Sequence, residues 1–231
     1  MKKVALCVMI MLAMVSLSGK EAYSENKWTA LVQESGKVLS EIQGMPDQGI
    51  PNDLMRSCSA IAIFPNTISA GFVIGGKYGQ GVIMVRDEKG RWSPPAIFTM
   101  AGGSLGWQIG GQATDFVLVF TNMRSVDGVL QGKFKLGADA SIAAGPVGRN
   151  AEASTDAHLK GGILSYSRSR GLFAGVKLEG AAITQHWDGD TELYGKSLSA
   201  REILIDNKPN MPKCADGIIK VLDKYPYKKN K

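Results

Sequence analysis

Lys133-Phe-Lys-Leu-Gly-Ala-Asp-Ala-Ser-Ile-Ala-Ala144 carries an apolar side chain at every second position: Phe134, Leu136, Ala138, Ala140, Ile142 and Ala144. Lys133, Lys135, Asp139 and Ser141 fall between them. A two-residue period of this kind predicts a half-buried strand. The period returns over Leu172, Ala174, Val176 and Leu178, with Lys177 and Glu179 on the other side. Between the two runs, Ser165-Tyr-Ser-Arg-Ser-Arg-Gly171 is polar and ends in glycine, which predicts a hairpin connection. The expectation is a sheet with one face of small apolar residues, one charged face, and Arg168 and Arg170 beside a turn.

Outward from this stretch, Ala70 to Asn122 is strand-like and punctuated by glycine. Strands are expected at Ser59–Phe64, Gly79–Arg86, along Ala96–Gly111, and at Phe116–Phe120, whose apolar run on both faces marks a central strand. Lys27 to Gln43 reads as an amphipathic helix, with Trp28, Leu31, Val32, Val38, Leu39 and Ile42 at three- and four-residue spacing. Gly36 weakens it by about 1 kcal/mol relative to alanine. Further helices are expected after Pro51-Asn52, over Met123–Leu130, after the capping-box spacing Ser199-Ala-Arg-Glu202, and over Ala215–Tyr225. The fold class is α+β and β-rich: a curved antiparallel sheet or partial barrel with flanking helices.

Three motifs resemble the SYLF domain family. They are Lys133 to Arg149, ending Gly145-Pro-Val-Gly-Arg149; Tyr166-Ser-Arg-Ser-Arg-Gly-Leu-Phe-Ala-Gly175; and Tyr194-Gly-Lys running on to Ala200-Arg-Glu-Ile203. The resemblance extends from about Leu31 to Asp206. It implies a compact β-rich domain that binds phosphoinositides or other anionic lipids and catalyses no reaction; some yeast members also bind actin. The segment after Asp206 is too short for the SH3 or FYVE module that accompanies the domain in some eukaryotic relatives. The organisation expected is a leader over 1–24, a SYLF-like domain over 25–206, and a C-terminal extension over 207–231 with a basic tail.

Met1-Lys-Lys3 followed by the uncharged apolar run Val4–Val15 has the layout of a Sec-type signal peptide. The run falls short of the roughly 20 apolar residues that span a bilayer. Ala22-Tyr-Ser24 and Ser16-Leu-Ser18 both fit a small-x-small cleavage site. Export to the periplasm or the exterior, with membrane association there, is the expected address. Removing residues 1–24 lowers the formal charge from +6 to +4. That balance suits an anionic surface without identifying one, and together with export it disfavours nucleic acid. Cys58 and Cys214 remain, either as a disulfide closing a long loop, worth roughly 4–5 kcal/mol, or as two buried thiols.

Enzymatic motifs find little support. Gly102-Gly-Ser-Leu-Gly106 matches G-x-S-x-G, but a nucleophile elbow needs a following helix, and Trp107-Gln-Ile-Gly-Gly111 is poor in helix formers. His158 and His186 have no metal partner at helical spacing. Asp188-Gly-Asp-Thr-Glu192 reads as a solvated turn rather than a Ca²⁺ loop. No metal or cofactor is expected. The stronger candidate is the basic set Lys133, Lys135, Arg149, Arg168, Arg170 and Lys177, whose charges suit lipid phosphates; the competing reading pairs them with Asp139, Asp156 and Glu179. The stripe Trp28, Leu31, Val32, Val38 and Leu39 either packs on the sheet or contacts a membrane. Anionic lipid is the expected partner and an envelope protein the rival. Actin enters only through the resemblance and is disfavoured for an exported chain.

Overall fold

The computed structural model describes residues 26–45, 48–148, 162–169 and 172–228, with the backbone alone at 70–75 and 104–111. The leader over 1–24, Arg149, His158, Arg170 and the end of the basic tail after Lys228 lie outside the described residues.

Two long strands organise the domain. β1 (Ala60–Val85) pairs antiparallel with β2 (Ala96–Phe120), from Ala60 opposite Phe120 to Ile83 opposite Ala96. The four separate strands expected here are therefore continuous pieces of two. Glycine interrupts the apolar pattern without interrupting the ladder, because Gly71 faces Gly110 and Gly76 faces Gly103 across the pair. Register shifts between Phe64 and Thr67 and between Gly71 and Val73 bend the hairpin. It doubles over so far that the Arg86 N–H donates to the Ser59 carbonyl at 2.8 Å. Gly81 makes this contact feasible: a Cβ there would overlap the carbonyl oxygen of Ile63 and the Phe64 side chain.

After β2 come a 3₁₀ turn (Met123–Val126), α3 (Asp127–Leu130), β3 (Lys133–Lys135), β4 (Ile142–Ala144), β5 (Ile163–Ser169), β6 (Leu172–Gly175) and β7 (Ala182–Gln185). The strand order is β3-β7-β2-β5-β4, with β1 also on β2 and β6 also on β5. The sheet curls into a half-barrel flanked by helices. Those before β1 are α1 (Lys27–Gly44) and α2 (Asn52–Ser57). Those after β7 are α4 (Trp187–Tyr194), α5 (Ala200–Leu204), and α6 (Asp216–Leu222), which follows a 3₁₀ turn at Lys213–Ala215. The capping box of Ser199 and Glu202 opens α5 as the spacing predicts.

Alternation along β1 and β2 feeds two cores. Ala62, Phe64, Phe98, Leu118 and Phe120 point into the curl, where Phe134, Ile183, Ile203 and Leu204 close it. Ile61, Ile63, Val82, Val117 and Val119 point outward and are covered by α1, α2 and α6. The α1 stripe serves this second core: Trp28, Val32, Val38 and Leu39 are buried and Leu31 packs partly against them. This corrects the membrane-contact reading of the stripe, because the sheet has already taken the apolar surface. Gly36 has a packing reason as well. A Cβ at that position would come within 3.1 Å of the Gly217 carbonyl carbon, where α1 crosses α6.

Three local expectations change. Lys133–Ala144 is two short strands rather than one, because Gly137 takes φ 87° and the Asp139 carboxylate accepts the Lys135 N–H at 2.7 Å, closing a turn. β4 then pairs parallel to β5 in an otherwise antiparallel sheet. Arg168 lies inside β5 rather than in the hairpin turn, with Phe173 opposite it. Finally, β6 presents the other face: Phe173 is buried and stacks on Tyr166 at 5.4 Å, whereas Leu172 is 77% exposed. The larger ring takes the covered side.

Candidate functional site

Gly102–Gly106 continues β2 without a turn, paired with Lys77 to Val73. The strand–turn–helix geometry of a nucleophile elbow is absent at that motif. The Asp188–Glu192 carboxylates sit on α4 rather than in a turn, and Asp190 is fully buried, accepting from Ile97 N (2.7 Å) and Gln185 Nε2 (2.7 Å). Burial pushes the Asp190 carboxyl up to about 7 against those two donors. His186 caps α4, its Nδ1 accepting the Gly189 N–H at 3.0 Å, and its ring packs on Trp28 at 4.4 Å. Both groups hold α4 against the sheet. No grouping of His, Cys, Asp and Glu that could hold a metal occurs among the described residues.

Cys58 and Cys214 are free thiols. Their environments differ: Cys58 donates to the Met55 carbonyl near Arg86 and Tyr166, whereas Cys214 lies toward Tyr194 and Asp216. Burial raises the Cys58 thiol to about 11, which keeps it protonated and unreactive.

The basic set separates into two groups. Arg168 is locked: its Nε and Nη2 donate to one Asp115 oxygen at 2.9 and 2.7 Å, and Nη1 contacts Glu41 of α1. Asp115 also accepts the Asn66 N–H at 2.8 Å, pinning the residue that takes φ 48° at the β1 bulge. Partial burial disfavours the Arg168 charge, but the bonds to Glu41 and Asp115 outweigh it and hold the guanidinium pKa above its usual value. This arginine ties sheet to helix and is not offered to a headgroup.

Lys133 and Lys135 differ: both are exposed, and neither enters a side-chain ion pair among the described residues. They occupy β3, the edge of the sheet, and the pairing extends each into a row. Residues directly opposite in antiparallel strands share a face. Lys133, Thr184, Thr99 and Gln80 form one row across β3, β7, β2 and β1; Lys135, Ala182, Ala101 and Tyr78 form the next. Four strands span about 14 Å. Along β1 and β2 the neighbouring outward residues, Val82 and Ile97, are under helices, but these rows are half-buried to exposed and Tyr78 is 54% exposed. Lys177 sits on a loop tied to the end of β3 by the Gly180 N–H on the Leu136 carbonyl at 2.8 Å. Its 2.7 Å pair with Glu179 is solvent-exposed and so costs little to open.

The result is an outer face of uncharged side chains, ending in a lysine edge. Lys133, Lys135 and Lys177 were legible in the sequence; Tyr78, Thr99 and Thr184 were not, because the rows run across four strands distant along the chain.

The chain belongs to the Ysc84 family, whose model, described as Las17-binding protein actin regulator, matches residues 101–225. This is the family that the SYLF motifs point to. The chain is 35% identical over 203 residues to Protein YSC84 of Saccharomyces cerevisiae, covering 87% of this chain and 43% of that protein. It is 36% identical to LAS seventeen-binding protein 3 of the same yeast, over 87% of this chain and 44% of that one. It is 30% identical to human SH3 domain-containing YSC84-like protein 1, over 84% and 58%. The chain thus spans about half the length of these curated relatives. None of these names describes a reaction.

Proposed function

We propose that this domain binds anionic lipid at a membrane surface without catalysis, through the open outer face and its lysine edge. One observation carries the reading: Lys133 and Lys135 stand exposed, without an ion pair among the described residues, at the ends of two cross-sheet rows that the helices leave uncovered. Each basic group near an anionic surface contributes about 1 kcal/mol, so this edge supports reversible, salt-sensitive attachment rather than anchoring. Among the described residues no helix is long and apolar enough to cross a membrane. Export through the leader over 1–24 completes the proposal; phosphatidylglycerol, cardiolipin or lipid A phosphates are then the headgroups of a bacterial envelope. Sequencing the N-terminus of the mature protein tests the leader, and a chain still starting at Met1 would overturn export.

Vesicle flotation tests the site. Lys133→Gln with Lys135→Gln is expected to lower partitioning onto phosphatidylglycerol vesicles roughly 30-fold, about 2 kcal/mol. High salt should release the parent protein. Equal recovery with neutral vesicles contradicts the electrostatic mechanism. Unchanged recovery together with new self-association would instead assign the two lysines to protecting the sheet edge.

A protein partner is the second reading, favoured by the family description and by the Las17-binding relative. Actin-regulatory partners belong here. Cosedimentation with filamentous actin, and cross-linking in intact cells before and after lipid depletion, separate this reading from the first.

A further inference from the structure

At the closed end of the β1–β2 hairpin, away from the open face, lies a cavity of about 560 Å³. That volume suits a small organic ligand. Arg86 lines it and is only 4% exposed. Its guanidinium donates to the carbonyls of Met55 (3.1 Å), Arg56 (2.9 Å) and Tyr225 (3.2 Å), and it packs against the Trp92 and Tyr227 rings at 4.3 and 5.5 Å. No carboxylate pairs with it among the described residues, and its Nε–H has no partner there. Two of the five guanidinium hydrogens are therefore unspent. A buried cation held by carbonyl dipoles and ring faces, without a paired carboxylate among the described residues, is a costly arrangement, and an anion repays it.

The walls add a second, independent observation. Met123, Met211 and Tyr227 are large apolar side chains left 44%, 37% and 38% exposed, and all three line this cavity together with Leu204. The acids at its rim do not occupy the arginine: Asp87 is engaged by Arg91 at 2.8 Å and by the amides of Lys89 and Arg91, and Glu88 is exposed. Desolvation also lowers the Arg86 pKa, outweighing the attraction of Cys58, Tyr227 and Asp223.

The geometry points to a binding site for a small single-chain amphiphile, its carboxylate or phosphate head beside the Arg86 guanidinium and its apolar body among Met123, Leu204 and Met211. This site is separate from the open sheet face and does not depend on it.

Soluble probes on the full chain test it without vesicles. Anilinonaphthalene sulfonate, an anion with an aromatic body, should bind at one site per chain. N-phenyl-1-naphthylamine, the same body without the charge, should bind at least about 10-fold more weakly. Arg86→Gln should cost a similar factor. Met211→Trp fills the mouth from an exposed position and should block the probe while leaving the melting temperature unchanged; it keeps the test decisive if Arg86→Gln does not fold. Decanoate and decyl phosphate should compete, the stronger one identifying the head, whereas inorganic phosphate should not. Equal binding of the neutral probe, full binding by Met211→Trp, or competition by phosphate as strong as by decyl phosphate would each overturn the assignment.

Discussion

Replacing Asp115 tests whether Arg168 is a structural tie or a ligand for phosphate. The Asp115 and Arg168 side chains are 12% and 18% exposed, so solvent screens their pair only in part. Breaking a fully buried pair costs about 3–5 kcal/mol. Here Glu41 remains beside the arginine, and Asn at position 115 still accepts the Asn66 N–H, so Asp115→Asn should cost about 2 kcal/mol. Arg168→Met keeps the apolar stem and should cost a similar amount. In a chain of this size, about 2 kcal/mol lowers the melting temperature by roughly 4–8 °C. The double variant should be less destabilised than the sum, with a coupling of about 1–2 kcal/mol. Urea denaturation of the four proteins gives the cycle, and flotation on phosphatidylglycerol vesicles runs in parallel. If the coupling lies within about 0.5 kcal/mol of zero, and Arg168→Met keeps its stability but loses vesicle binding, the structural assignment is refuted and Arg168 returns to the lipid site.

Asp190, with its carboxyl raised to about 7 in the fold against about 3.9 in the unfolded chain, should contribute stability below pH 4 that is lost as the pH rises through 7. Asp190→Asn should flatten this component of the pH profile by a few kcal/mol, even though it weakens the bond from Gln185; an unchanged slope between pH 4 and 7 would show that the carboxyl is ionised in place. Gly81→Ala should abolish the native fold, since the added methyl meets a backbone carbonyl of the same strand, and a cooperative near-UV transition in that variant would contradict the doubled hairpin.

Period and punctuation determined much by themselves. The stripe of α1 and the capping box of α5 are local signals, and each became the expected helix. The β-rich class and the curl followed from alternation and glycine density. Tertiary structure decided what those signals were for. Local alternation cannot show that Gly79–Val85 will lie against Ala60–Thr67, so the expected strands fuse into a doubled hairpin only through contacts between residues far apart along the chain. The same limit governs the charges: Lys133, Lys135 and Arg168 look alike in sequence. Pairing in space leaves the two lysines at an open edge and closes the arginine between Asp115 and Glu41, because an ion pair depends on which surfaces meet and not on spacing along the chain.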